Sequence, residues 1–236
     1  MPSQNKRGLR RLLSRALRRK FVAPEELAYR RLRTKGFQPT FIIDVGAYEG
    51  NWTRLARGVF GDVPTLMVET QASKRLGLEA LCRELDDVRY VGALLYSKSG
   101  EPKQFFEMET GSSMFAENSN APRTTQELKT STLDEVAGQV PQGAFLKIDV
   151  QGAELEVLKG GDRTLAACEL VQLEVAILPY NEGAPTALEV LSYMAERDLV
   201  PLDISGFSRP NGVDLAQVDF LFTRPASKLR TRFFTF

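Results

Sequence analysis

The sequence predicts an α/β protein built on a mostly parallel sheet with helices on both faces. Short apolar runs rich in β-branched residues alternate with longer stretches of helical spacing, as parallel βαβ units require. Acidic residues also stand at the ends of four of those runs. The 236 residues suit one sizeable core, and no Pro- or Gly-rich stretch marks an interdomain linker. The expected organisation is a basic helical extension over residues 1–36 and a single domain over residues 37–236.

Taken in order, Thr40 to Val45 is a continuous apolar strand with Asp44 near its end, and Asn51 to Phe60 reads as a helix. Thr65 to Glu69 is a second strand, Ala72 to Leu85 a helix, and Val88 to Leu95 a third strand. Residues 96–131 break the rhythm with Gly100, Pro102, Gly111 and Pro122 and a polar stretch from Glu117 to Asn120. Short strands are expected there near Lys103 to Glu107 and Glu127 to Thr130. The alternation resumes with a strand from Ala144 to Asp149 and a helix opening near Ala153 and closing at Gly160-Gly161. Glu169 to Val175 is a fifth strand, and Pro185 begins a helix that runs to Arg197. Val200 to Ile204 and Val218 to Thr223 flank a Gly/Pro/Asn turn, as an antiparallel hairpin does.

Composition excludes several chemistries. The chain has no histidine, which removes Ser-His-Asp and Cys-His catalysis, His-ligated metals and an imidazole base. Its two cysteines, Cys82 and Cys168, lack CxxC spacing and read as inert thiols, so a cytoplasmic setting is expected. No apolar run reaches the roughly 18 residues of a membrane span, and basic residues interrupt any secretory h-region before Phe21.

Charge is uneven. Lys6, Arg7, Arg10, Arg11, Arg15, Arg18, Arg19 and Lys20 give the first 20 residues +8 with no acid, so the net +1 of the whole chain leaves −7 for the rest. Leu9, Leu12, Leu13, Ala16, Leu17 and Phe21 recur among them at helical spacing, the pattern of a helix that lies on an anionic surface. That surface is a membrane leaflet, an acidic partner, or this chain's own domain. Without interleaved aromatics, nucleic acid is the weakest option. The tail with Arg230, Arg232, Phe233, Phe234 and Phe236 is apolar and basic together and suggests docking to the domain, to a second copy or at a membrane edge. A homo-oligomer stays open.

In an open parallel sheet the ligand sits beyond the carboxyl ends of the strands. Asp44, Glu69, Asp149 and Glu174 stand there, where acids are costly to bury unpaired. Asp44-Val-Gly-Ala-Tyr-Glu-Gly50 joins the first strand to its helix with two glycines, and Glu69 ends the next strand, where an acid can accept both hydroxyls of a ribose. Together they fit an adenosine ligand without separating NAD from S-adenosylmethionine.

These residues, with Thr130-Ser-Thr-Leu-Asp-Glu135 and above all Leu146-Lys-Ile-Asp-Val-Gln-Gly-Ala-Glu-Leu-Glu-Val-Leu-Lys-Gly160, resemble the FkbM family of S-adenosylmethionine-dependent methyltransferases. The resemblance runs from about Thr40 to Glu174. It implies a class I, Rossmann-like methyltransferase fold: a seven-stranded, mostly parallel sheet whose last strand is antiparallel. It also implies transfer of a methyl group to a hydroxyl of a saccharide or natural product. Asp44, Gly46, Ala47, Tyr48, Gly50, Asn51, Glu69, Ala93 and Leu94 are the residues it assigns to the cofactor. The chain departs from the family in carrying Tyr48 for Asn and Val68-Glu-Thr-Gln71 for Phe-Glu-Pro-Asn, and in lacking an acid near Ser97. The Gly111-Ser-Ser113 loop also resembles the family.

A hydroxyl acceptor needs a base or a metal to lose its proton. Asp149 is the expected base, with Glu174 as the second carboxylate and Lys147 offsetting charge from the same strand face. Two carboxylates without histidine suit magnesium, or else share one proton so that one of them serves as base. Glu154 reads first as a helix stabiliser and Trp52 as a lid or core anchor. Competing readings are a non-catalytic nucleotide-binding module, against which the strand-end acids argue, and an NAD-linked oxidoreductase, against which the glycine spacing argues.

Overall fold

The structure is a computed structural model that describes residues 22–108, 111–115, 122–178 and 181–231. The expected amphipathic helix within residues 1–20 and the last residues of the tail lie outside them. The elements are α1 (Pro24–Thr34), β1 (Ile42–Val45), α2 (Asn51–Phe60), β2 (Thr65–Glu69), a 3-10 turn and α3 (Arg75–Glu84), β3 (Val88–Gly92) and β4 (Leu94–Leu95). They continue with β5 (Pro102–Glu107), β6 (Thr124–Ser131), α4 (Leu133–Ala137), β7 (Ala144–Ile148), α5 (Glu154–Lys159), α6 (Asp162–Ala167) and β8 (Cys168–Ala176). The last are α7 (Ala187–Glu196), β9 (Val200–Ser208) and β10 (Gln217–Thr223).

Seven strands form one sheet in the order β3-β2-β1-β7-β8-β10-β9. All neighbours pair in parallel except β10, which slots between β8 and β9 antiparallel to both. The order reverses between β1 and β7, so a crevice opens at their carboxyl ends. A second sheet has the order β4-β6-β5, with β4 parallel and β5 antiparallel to β6.

The two-residue period of the strands sorts the core into two faces. Ile43, Val45, Leu146, Ile148, Val171 and Leu173 pack against Val157, Leu158, Leu165, Val190 and Met194 of α5, α6 and α7. On the opposite face, Ile42, Phe145, Leu170 and Leu221 meet Ala28, Tyr29 and Leu32 of α1 and Ala56, Val59 and Phe60 of α2. Residues 24–34, counted with the extension on sequence grounds, thus bury a full stripe against the sheet. Trp52 packs edge-on against Tyr29 and Phe145, as a core anchor does.

Three details differ from the sequence expectation. The run from Val88 to Leu95 divides at Ala93: β3 stays in the main sheet, while β4 turns off to pair with β6. The helix α4, which the sequence reading did not assign, opens on a capping box of Thr132 and Glu135, whose side chains reciprocally satisfy each other's backbone N–H groups. Gly160-Gly161 ends α5 but is followed at once by α6. No helix among the described residues is long and apolar enough to cross a membrane.

Candidate active site

At the carboxyl ends of β1, β2 and β7 lies a cavity of about 220 Å³. Its floor is the turn after β1. Gly46 has φ +75°, and a Cβ there would stand 1.8 Å from the carbonyl oxygen of Asp149, so only glycine lets β1 and β7 end this close together. Gly50 also has a positive φ, but its missing side chain makes room for Leu81 of α3. Its role is to start α2 against its neighbour.

Glu69 is buried at the end of β2. Its Oε2 accepts the Tyr48 N–H and its Oε1 the Gln71 N–H, each at 2.8 Å. Burial raises its pKa, outweighing those two donors. A carboxylate has about four lone-pair positions, so the group that fixes the turn still has acceptor capacity toward the cavity it lines. Tyr48 reaches φ +50°, an uncommon backbone for a non-glycine residue, and the Lys74 ammonium sits 3.8 Å from its ring centroid. Ala93, Leu94, Leu95 and Phe105 form an apolar wall, with the Ala93 carbonyl fixed by the Thr70 hydroxyl at 2.9 Å.

Of the residues that the sequence assigns to cofactor binding or catalysis, Gly46, Tyr48, Glu69, Ala93, Leu94 and Asp149 line the cavity. The others lie outside the lining. Ala47 packs into a small core with Met67 and Leu78, and Asn51 is exposed in the first turn of α2. Asp44 is fully buried beneath the turn, accepting a 2.7 Å hydrogen bond from Thr53 and pairing with Lys147 Nζ at 3.2 Å. Lys147 also lies 3.5 Å from Asp149 and donates to the Gly46 carbonyl at 3.0 Å. Burial alone would lower the pKa of its ammonium, but Asp44 and Asp149 outweigh that and raise it.

Asp149 and Glu174 are joined by a residue to which the sequence reading gave no role. The Gln151 amide donates to Asp149 Oδ1 at 2.9 Å and to Glu174 Oε2 at 2.5 Å. Gln151 holds φ +55°, and its carbonyl is pinned by Ser113 Oγ at 2.8 Å and Asn181 Nδ2 at 2.6 Å. The Gly111-Ser-Ser113 loop therefore closes one wall of the cavity and latches to the strand-end turn. Burial would raise Asp149, but Lys147 together with hydrogen bonding from Glu174 and Gln151 outweighs it and holds this carboxyl below the usual range. Burial and the neighbouring Asp149 instead push Glu174 well above the usual range. The pair is therefore biased toward ionisation at Asp149, with Glu174 the more readily protonated member.

Glu154 lies below this turn and accepts the N–H groups of Val150 and Gly152 at 3.0 and 3.1 Å. Its burial pushes the pKa up to about 7. Among the described residues no group of three or more His, Cys, Asp or Glu side chains is placed to hold a metal ion. The two carboxylates, for which the sequence left magnesium or a shared proton open, have an amide N–H donor between them, so this donor set does not fit a metal centre.

A sheet of this strand order, with a glycine turn, a strand-end acid and a cavity at its switch point, is the class I S-adenosylmethionine-dependent methyltransferase architecture. The Methyltransferase FkbM domain matches residues 44–200, and the chain belongs to that family. Among curated proteins none matches the chain. Solved structures with a similar fold include an rRNA methylase from Streptococcus thermophilus, 10% identical, with 86% of this chain and 98% of that chain covered at a TM-score of 0.49. A precorrin-6y C5,15-methyltransferase from Geobacter metallireducens is 12% identical, with 84% and 85% covered at 0.47. A 1,6-didemethyltoxoflavin-N1-methyltransferase from Burkholderia thailandensis, solved with S-adenosylhomocysteine, is 11% identical, with 86% and 78% covered at 0.46. The substrates in those names belong to those proteins.

Proposed function

We propose that this chain is a cytoplasmic O-methyltransferase that uses S-adenosylmethionine to methylate a hydroxyl of a saccharide or natural product. The observation that carries this reading is the Asp149–Gln151–Glu174 unit at the edge of the cavity. Bound in the cavity, S-adenosylmethionine supplies an electrophilic methyl group on a sulfonium. Glu69 would bind the ribose hydroxyls, the wall from Ala93 to Leu95 would cover the adenine, and Gly46 would let the backbone approach the donor.

The chain's own task is to align an acceptor and take its proton. As the acceptor oxygen forms its bond to carbon it turns into a strong acid, so even a weakly basic carboxylate can remove its proton. Asp149, held anionic by Lys147, is that carboxylate: as the C–O bond forms and the methyl carbon's bond to sulfur breaks, leaving S-adenosylhomocysteine, the O–H proton would pass to Asp149. Glu174 keeps its own proton and, through Gln151, fixes the orientation of Asp149. Lys147 and Gln151 act as positioning residues. The unpaired thiols Cys82 and Cys168 suit a reducing compartment.

Incubation with S-adenosylmethionine and a panel of glycans and metabolites, read by mass spectrometry, should show an acceptor that gains one methyl group. Asp149→Asn should then abolish turnover while S-adenosylhomocysteine binds as before. An unchanged rate removes Asp149 from the role of base.

A further inference from the structure

Of the eight large apolar side chains that stand exposed among the described residues, seven lie at the carboxyl end of the sheet. Leu76 and Leu188 occupy the first turns of helices that start there, and Leu27 the first turn of α1. The densest group surrounds the hairpin between β9 and β10. Phe207 is 65% exposed at the end of β9, and Val213 is 73% exposed in the hairpin. Ile177 and Leu178, just past β8, are bound to that hairpin through the Ala216 carbonyl, which accepts their N–H groups. Arg209 donates to the Val213 carbonyl, and its guanidinium lies 5.9 Å from the Phe207 ring. A soluble surface seldom gathers such a rim at one end unless something covers it.

The chain itself indicates what covers it. Helix α1 directs its first turn to this same end, since Glu25 accepts from Trp52 Nε1 and Gln172 Nε2, while Lys35 at its other end bonds to the Leu229 carbonyl. The segment of eight basic residues and no acid therefore joins the domain at Val22, at the end where the apolar rim stands. Arg230, which opens the other basic and apolar terminus, bonds to the Pro201 carbonyl at the opposite end. Cations near an anionic leaflet contribute about 1 kcal/mol each, and an apolar rim beside them adds insertion into the headgroup boundary.

We infer that the carboxyl end of the sheet docks on an anionic lipid bilayer, with residues 1–20 supplying charge and the Phe207/Val213 hairpin supplying apolar contact. The candidate active site then opens toward the membrane. This inference stands apart from the methyl-transfer reading, because binding is measured without cofactor or acceptor.

The test is sedimentation of the full chain with vesicles of phosphatidylcholine, with and without about 30 mol% phosphatidylglycerol. Two variants are compared: Phe207→Ser with Val213→Ser, and Arg15→Gln with Arg18→Gln, Arg19→Gln and Lys20→Gln. Cooperative urea unfolding establishes that each is folded. The full chain should pellet only with the anionic vesicles, the charge variant should remain in solution, and the hairpin variant should bind about tenfold more weakly. Absence of binding to anionic vesicles overturns the inference, and so does undiminished binding of the hairpin variant. A dimer in sedimentation equilibrium that the hairpin substitutions convert to monomer, with vesicle binding unaffected, assigns the rim to a second copy and overturns it too.

Discussion

Lys147 and Asp44 form a buried ion pair, Nζ to Oδ1 at 3.2 Å, which ties the strand under the glycine turn to the strand that leads into Asp149. The same ammonium lies 3.5 Å from Asp149, so one cation is shared by the carboxylate beneath the glycine turn and the proposed base. Removing one partner of a buried pair leaves the other charge uncompensated. Lys147→Met should therefore cost about 3–5 kcal/mol in urea unfolding. A loss below about 1 kcal/mol would show that Asp44 finds another way to be solvated or protonated.

Glu154 gives the chain a pH-dependent stability. Its pKa, raised from 4.5 to about 7 by burial, means that the folded state binds more protons than the unfolded state between those values. Stability from this group is present below about 4.5 and is lost as the pH rises through about 7. Glu154→Gln keeps an oxygen for the Val150 and Gly152 N–H groups but cannot ionise. It should match the unsubstituted chain at about pH 4 and exceed it by about 3 kcal/mol at about pH 8. Denaturant midpoints at the two pH values check this, and a parallel offset at both would contradict it.

The two glycines of the turn should respond differently. Gly46→Ala places a methyl group against the backbone of Asp149, which cannot swing away, whereas Gly50→Ala meets the far end of the Leu81 side chain. Both incur strain of about 1–3 kcal/mol for a left-handed non-glycine residue. Gly46→Ala alone should also lose S-adenosylhomocysteine binding, as calorimetry on folded protein would show. Equal losses from the two would place the ligand elsewhere.

These contrasts mark how far the sequence could be read. Residues whose signal is local were legible: β-branched runs gave the strands, and the spacing around Lys147 to Gly160 gave the family. The roles of Lys147 and Asp149 divided at a level the sequence does not encode, since period-two alternation puts both on one face but does not show that only Asp149 reaches the cavity. Gln151 escaped notice because its significance lies in a positive φ and in contacts from Ser113 and Asn181, far along the chain. The split at Ala93 was hidden for a similar reason. Val88 to Leu95 is one apolar run, and only pairing with β6 turns Leu94 and Leu95 out of the main sheet.

The anchor of α1 is testable through the chain's single tryptophan. Glu25 Oε1 accepts from Tyr29, Trp52 and Gln172 at 3.0, 2.9 and 2.8 Å. Glu25→Ala leaves donors short of an acceptor in a largely buried setting, which should cost about 1–3 kcal/mol. Trp52 emission should shift as its surroundings loosen. An unmoved spectrum and midpoint would mean that apolar packing alone holds the helix.

On the proposed function, the cavity above Gly46 and Glu69 holds S-adenosylmethionine. Calorimetric titration with S-adenosylhomocysteine, on the unsubstituted chain and on Glu69→Ala, tests it most directly. The unsubstituted chain should bind tightly and one-to-one, and the substitution should abolish binding in a chain that still unfolds cooperatively. No binding to the unsubstituted chain, or equal binding to both, would contradict it.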